Sequence, residues 1–142
     1  MTIATFSATS GTTRPATDSG YRPGVCNIGP QEQARRRRAG HVGLAASVIL
    51  LVVLVAIGAP PITRLLIALP AAGAASGYLQ AWLKFCAAYG RLGVYNFGRA
   101  GRTSSVAEGA ARAADRRKAN QIGLASLGIG LVVAVIAVLL PV

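Results

Sequence analysis

Acidic residues are scarce in this chain. Four Asp and Glu stand against fifteen Lys and Arg, giving a formal net charge of +11. Three stretches lack Asp, Glu, Lys, Arg and His altogether: Val42 to Ala59, Leu65 to Leu83 and Ile122 to Leu140. Ionisable residues within a membrane span mark ion and proton routes, so this absence argues against a pump or a proton-coupled carrier. Cysteine and histidine are nearly missing as well, with two and one. There is no CxxC pair, and two thiols with one imidazole leave a zinc tetrahedron short of a ligand. Neither a metal nor a cofactor is expected. The first 24 residues contain no 7–15-residue apolar stretch of the kind a secretory signal needs. They read as a disordered tail, with a Ser-rich, acid-poor organellar transit peptide as the alternative.

What is present is apolar length. Each charge-free run is 18 or 19 residues, about 27–29 Å as a helix, close to the ~30 Å hydrocarbon core of a bilayer. Buried helices of soluble proteins seldom stay apolar on every face for so long. The chain therefore reads as an all-α membrane protein with three transmembrane helices: an antiparallel hairpin and one long C-terminal helix. Residues 1–24 form a cytoplasmic tail, 25–101 a hairpin membrane domain with an interfacial loop, and 102–142 a cytoplasmic helix continuing into the third span. Pro30 suits the first helical turn and Glu32 the positive dipole end of helix one. Pro60-Pro61 ends that helix, and only Pro60 to Arg64 separates it from span two. Trp82 and Lys84 suit the interface at the far end of span two. Ser105 and Glu108 have capping-box spacing, and Glu108 with Arg112 adds an i,i+4 pair. Together they predict a helix from Ser105 to Leu140, about 54 Å long.

Fourteen of the fifteen basic residues fall before span one or between spans two and three, and only Arg64 lies in the hairpin turn. The positive-inside rule then puts the N-terminus and the long loop in the cytoplasm and the C-terminus outside. Thirteen of the fifteen are Arg, a bias that with abundant Ala and Gly goes with a GC-rich bacterial genome, and so with a bacterial inner membrane. Arg35, Arg36, Arg37 and Arg38, with Arg116, Arg117 and Lys118, read as orientation signals and contacts to anionic headgroups, each worth ~1 kcal/mol near the surface. The charges hug the membrane ends and no nucleic-acid module accompanies them, so nucleic acid is not expected as a partner.

Gly73 and Gly77 form a GxxxG in span two, extended by Ala81, and Ser126 with Gly130 offers a matching notch on span three. Small residues four apart let helix backbones approach closely. Packing within the chain is the expected use, ahead of homo-oligomerisation. Tyr78 and Gln80 are expected to make helix–helix hydrogen bonds, and His41 to stand alone at the membrane edge. Cys26 and Cys86 both fall beside the cytoplasmic face, where a redox pair, a metal site with His41, an acyl-accepting thiol or a structural role are all open. Asn27 can cap helix one, and Gly29 permits a tight turn into it. Phe85 and Tyr89 share a face if helix two continues past Lys84.

Asn27-Ile28-Gly29 with Glu32, two spans, and then Phe85-Cys86-Ala87-Ala88-Tyr89 with Leu92-Gly93 resemble a family of small bacterial inner-membrane domains. These are two-helix hairpins, found alone or attached to sulfur-handling rhodanese domains. The resemblance covers residues 26 to 98. Ala87 stands where the family has proline, a third span is added and no rhodanese domain is present. It implies a hairpin whose two cytoplasmic ends pack together, and a sulfur-linked role that would fall on Cys86.

The function expected on these grounds is a non-enzymatic accessory or scaffold component whose basic face meets anionic lipid, a membrane-protein partner or a second copy. The alternatives are a thiol-based redox or sulfur-relay component using Cys86 and Cys26, and an oligomeric channel or small-solute carrier.

Overall fold

The computed structural model describes residues 20–99 and 102–142. Their order is α1 (Pro30–Ala56), a 3₁₀ segment (Pro61–Ile67), α2 (Ala68–Trp82), α3 (Ala87–Leu92), β1 (Val94–Tyr95), β2 (Ser104–Ser105) and α4 (Gly109–Leu139). Three stretches are long and apolar enough to cross a membrane: Pro30–Ala56, Pro61–Trp82 and Gly109–Leu139. Each contains most of one of the three charge-free runs. Residues 1–19 of the expected tail lie outside the described residues, but its last part does not conform. Tyr21 is buried, and a turn joins Arg22 to Cys26 by paired backbone bonds of 2.9 and 3.0 Å.

Each boundary has a local cause. α1 opens with Pro30 at its first position behind an extended Gly29, without a side-chain cap. It closes on Gly58 at φ 66°, with Gly58 N–H donating to Val55 and Ala59 N–H to Leu54. This is the Schellman arrangement that satisfies the last carbonyls, so the helix stops before Pro60-Pro61 and not at it. The second span starts as 3₁₀ helix through Ile67 and becomes α-helix at Ala68. Pro70 falls in the first turn of α2, where its missing N–H is least costly. The other end of α2 does not continue past Lys84, contrary to the shared-face expectation for Phe85 and Tyr89. Lys84 takes φ 54°, and Phe85 N–H reaches back to the Gln80 carbonyl at 3.0 Å. This is a second Schellman close, with lysine in the left-handed position that glycine usually holds.

α4 starts at Gly109 with Glu108 as its N-cap residue, four residues later than the capping-box spacing predicts. Ser104 and Ser105 instead pair with Tyr95 and Val94 in a short antiparallel ladder. Val106 N–H continues it to the Gly93 carbonyl at 2.8 Å. The backbone that would have begun the helix is already engaged. Arg112 does not pair with Glu108 either; its Nε donates to the Val106 carbonyl at 2.6 Å.

α2 is the central helix, packed by α1 on one side and α4 on the other. Lipid is as apolar as the helix surfaces, so close backbone approach must supply the attraction. A Cβ on Gly77 would lie 2.5 Å from Gly40 N, and one on Gly43 2.6 Å from Ala74 N. On the opposite side, a Cβ on Gly130 would lie 2.5 Å from the Ala68 carbonyl and 2.7 Å from Ala72 Cβ. Of the residues expected to pack, Gly77, Ala81, Ser126 and Gly130 are buried. Gly73 is the exception: it is exposed, with nothing within 4 Å of its added Cβ. Span two presents Gly77 to α1 and Ala68/Ala72 to α4, so Gly73 turns away from both neighbours. The buried face of α4 runs Ala111, Asp115, Ala119, Ile122, Ser126, Gly130, Ala134, Ala137. Its steps of three and four keep one stripe aligned along the whole helix.

Gly77→Ala should lower stability by about 1–3 kcal/mol, because two backbones must separate to admit one methyl group. Gly73→Ala should be neutral or stabilising by up to about 1 kcal/mol, from helix propensity alone. Thermal unfolding in detergent distinguishes the two; equal losses would refute this assignment of the packed face.

Candidate functional site

Among the described residues most polar groups gather at one end of the bundle, where residues 20–38 meet 84–99 and the first turns of α4. Asn27 ties these segments together. Its side-chain amide is fully buried, accepts from Cys86 N–H at 2.6 Å and donates to the Cys86 carbonyl at 3.1 Å. Asn27 N–H donates to the Lys84 carbonyl, Asn96 N–H donates to the Asn27 carbonyl, and Gly29 N–H donates to the Asn96 carbonyl at 2.7 Å. Asn27 thus acts as an extra peptide group joining the two ends of the hairpin, not as the helix cap expected of it.

Asp115 is the second tie. It is fully buried on α4 and accepts from the Tyr21 hydroxyl at 2.7 Å and from Gly24 N–H at 2.7 Å. Tyr21 stacks on Tyr95 with ring centroids 4.7 Å apart. Burial first, and then the hydrogen bond to Asp115, raises the Tyr21 phenol well above its ordinary range. Tyr21, Tyr95, Val106, Glu108 and Ala111 line an open cleft of about 290 Å³. Sequence reasoning passed over both Tyr21 and Asp115. The signal was present: Asp115 falls in step with Ala111 and Ala119 on the small-residue stripe, a buried position and not a solvated one.

Glu32 is buried in the third cluster, with one oxygen 3.5 Å from Arg35 and 3.4 Å from Arg36. The Arg36 guanidinium also lies 5.9 Å from the centroid of the Tyr89 ring. The Tyr89 phenol is raised, chiefly by burial and then by the Glu32 charge, against a lowering hydrogen bond from Asn96. Arg35, Arg37, Arg38, Arg116 and Arg117 are exposed, and Lys118 is half-buried. Gln31, Ala34, Arg35 and Arg38 line a shallow groove of about 330 Å³ along α1.

Cys26 and Cys86 lie on segments that do meet, since Asn27 follows the one and bonds the other. Both thiols are buried and free, and the Cys26 thiol is 3.9 Å from the Ile28 carbonyl. His41 is not alone: its Nδ1 lies 2.6 Å from the Tyr78 hydroxyl, a bond between α1 and α2 just before the first apolar run. Among the described residues no group of three His, Cys, Asp or Glu is placed to hold a metal. Gln80 bonds Ser76 within α2 at 2.7 Å and accepts from Ala87 N–H at 3.0 Å. It orders the turn after the helix and does not bridge two spans as expected.

Arg64, at the opposite end, is 3% exposed. Its guanidinium donates to the main-chain oxygens of Ala137 at 3.1 Å, Leu140 at 3.0 Å and Val142. It neutralises the negative end of the α4 dipole and satisfies carbonyls that lack helical partners.

Compared with family models, curated proteins and solved structures, the chain matches none.

Asp115→Ala should cost about 1–3 kcal/mol, because a buried hydroxyl and a backbone N–H lose their acceptor. Faster chymotryptic cleavage after Tyr21 would report release of the 21–24 segment; unchanged cleavage would show that Asp115 does not hold it. Raising a phenol's folded-state pKa stabilises the fold below the unfolded value near 10, and that contribution is lost as pH rises above it. The intact chain should therefore lose stability more steeply than Tyr21→Phe between about pH 9.5 and 11.5. Parallel pH–stability curves would remove this role for Tyr21.

Proposed function

We propose that the protein is a non-enzymatic accessory or scaffold component of a bacterial inner membrane. Its N-terminus and polar end lie in the cytoplasm and its basic surface meets anionic lipid or a partner protein. The observation that carries this reading is the contrast between the two ends. One has Arg35, Arg37, Arg38, Arg116 and Arg117 exposed around an ordered cap. At the other, the guanidinium of Arg64 is enclosed by main-chain oxygens. The asymmetry in exposed positive charge is thus sharper than the count of basic residues, and the positive-inside rule acts on charges flanking the spans.

Two further features support the reading. Backbone-to-backbone packing at Gly40–Gly77 and Ala68–Gly130 fills the space between helices, which does not suit a channel within one copy. The burial of both thiols keeps them from a soluble sulfur-transfer partner, since exchange requires access. The ordered cap of Asn27, Tyr21 and Asp115 holds the basic side chains on a rigid base, as a scaffold requires.

The test is topological. A reporter active only in the cytoplasm should be bright at the N-terminus and silent when fused after Val142. Replacing Arg35 to Arg38 by Ala should yield a mixed population. A bright C-terminal fusion in the intact chain would overturn the orientation and with it this reading.

A further inference from the structure

We infer that α1 carries a discrete binding site for one anionic glycerophospholipid. The phosphate sits between Arg35 and Arg38, and an acyl chain lies along Val42, Ala45, Ile49 and Val52. The inference rests on the reading that the basic end lies at the headgroup layer, and it adds a defined site to what that reading leaves as a diffuse belt.

The groove of about 330 Å³ is lined by Gln31, Ala34, Arg35 and Arg38. These residues are spaced i, i+3, i+4 and i+7, and so share one face of the helix. Alanine at position 34 leaves the space, and the longer side chains border it. Among the described residues Arg38 makes no ion pair and Arg35 makes one, to Glu32 at 3.5 Å, which Arg36 shares. The Arg35 side chain is 63% exposed despite that contact. Two guanidiniums with free N–H groups suit a phosphodiester, whose oxygens accept charge-assisted hydrogen bonds from arginine. Glu32 presents no exposed oxygen to the groove, since its side chain is 1% exposed and its charge is shared between Arg35 and Arg36.

The same face continues into the apolar run. Val42 follows Arg38 by four residues, and Ala45, Ile49 and Val52 follow at steps of three and four, all exposed. From Val42 to Val52 the helix rises about 15 Å, half of a ~30 Å hydrocarbon core. The basic groove thus stands directly above an unpartnered apolar strip one leaflet deep. A soluble phosphate would use only the groove; a phospholipid of the same leaflet would use both parts. The match of charge and length therefore commits the site to a lipid. On α4 the arrangement differs: the exposed polar residues Asn120 and Gln121 separate Arg116 and Arg117 from the exposed apolar positions that begin at Leu124.

Two substitutions of equal charge test it. Ala34→Glu places a carboxylate in the groove, four residues before Arg38, in a spacing that supports the helix. Ala113→Glu makes the same change in charge beside Arg117, on an exposed position of α4. The full chain is reconstituted into bilayers of equimolar phosphatidylglycerol and phosphatidylcholine, and retained lipid is counted by native mass spectrometry. One phosphatidylglycerol should remain bound to the intact chain and to Ala113→Glu. Ala34→Glu should retain about five-fold less, as loss of ~1 kcal/mol of headgroup attraction implies. Arg38→Gln, which breaks no ion pair, should fall by a similar factor. Equal loss in Ala34→Glu and Ala113→Glu would overturn the site while leaving the basic-face reading intact. Equal retention of the two lipids by the intact chain would overturn it as well. In detergent, inorganic phosphate should not displace the retained lipid; displacement would assign the groove to a free anion instead.

Discussion

The distance between α1 and α2 is set where Gly77 meets Gly40, and the rest of the molecule depends on it. In lipid there is no water to expel from between helices, so attraction comes from dispersion at close range. Glycine on at least one partner allows that range, and here Gly40 faces Gly77 and Gly43 faces Ala74. Holding the helices that close also fixes where their ends emerge. The chain preceding α1 and the chain following α2 come within reach of a single amide side chain. Asn27 can then bond both backbone groups of Cys86, and the His41–Tyr78 bond closes the seam just before the first apolar run. A wider spacing would leave those polar groups without these partners.

Polar chemistry at the opposite ends follows two different rules. At the basic end, buried acids are held by short donors: Asp115 by a phenol and a backbone N–H, Glu32 by two guanidiniums at longer range. The cost of burying a carboxylate is offset at Asp115 by two hydrogen bonds and at Glu32 by two arginine counter-ions. At the other end a buried cation meets main-chain oxygens and the α4 dipole. Exposed charge is what remains after these internal uses, and among the described residues the exposed charged side chains lie at the basic end. The balance of exposed charge, more than the total, is what a bilayer surface would sense.

The three spans and their connection as a hairpin were legible because a bilayer forces long charge-free runs, a pattern with few other physical causes. The buried small residues Gly77, Ser126 and Gly130 were legible for the same reason; Gly73 was not distinguishable, since spacing alone does not say which face meets a neighbour. Gly40 and Gly43 sat in plain view as the surface that Gly77 needs. The polar end resisted reading because its partners are far apart in the chain. Asn27 and Cys86 are separated by 59 residues, and Tyr21 and Asp115 by 94. Ser105 with Glu108 satisfied a local capping pattern, yet its backbone was claimed by β1. Lys84 adopted a left-handed turn that residue preference would have given to glycine. In each case a long-range partner decided between conformations that local propensity left close together.

The enclosure of Arg64 bears on the order in which the protein is assembled. Its acceptors lie at the far end of α4, more than seventy positions later in the chain. A hairpin made of the first two spans alone would present this guanidinium with no oxygen to receive it, beside the apolar layer where an unpaired charge is costly. The third helix resolves that state on arrival, because its last carbonyls lack helical partners of their own. Arg64 is thus a latch that distinguishes a finished bundle from a half-built one. A truncated or late-arriving third span would be marked by the charge it leaves behind.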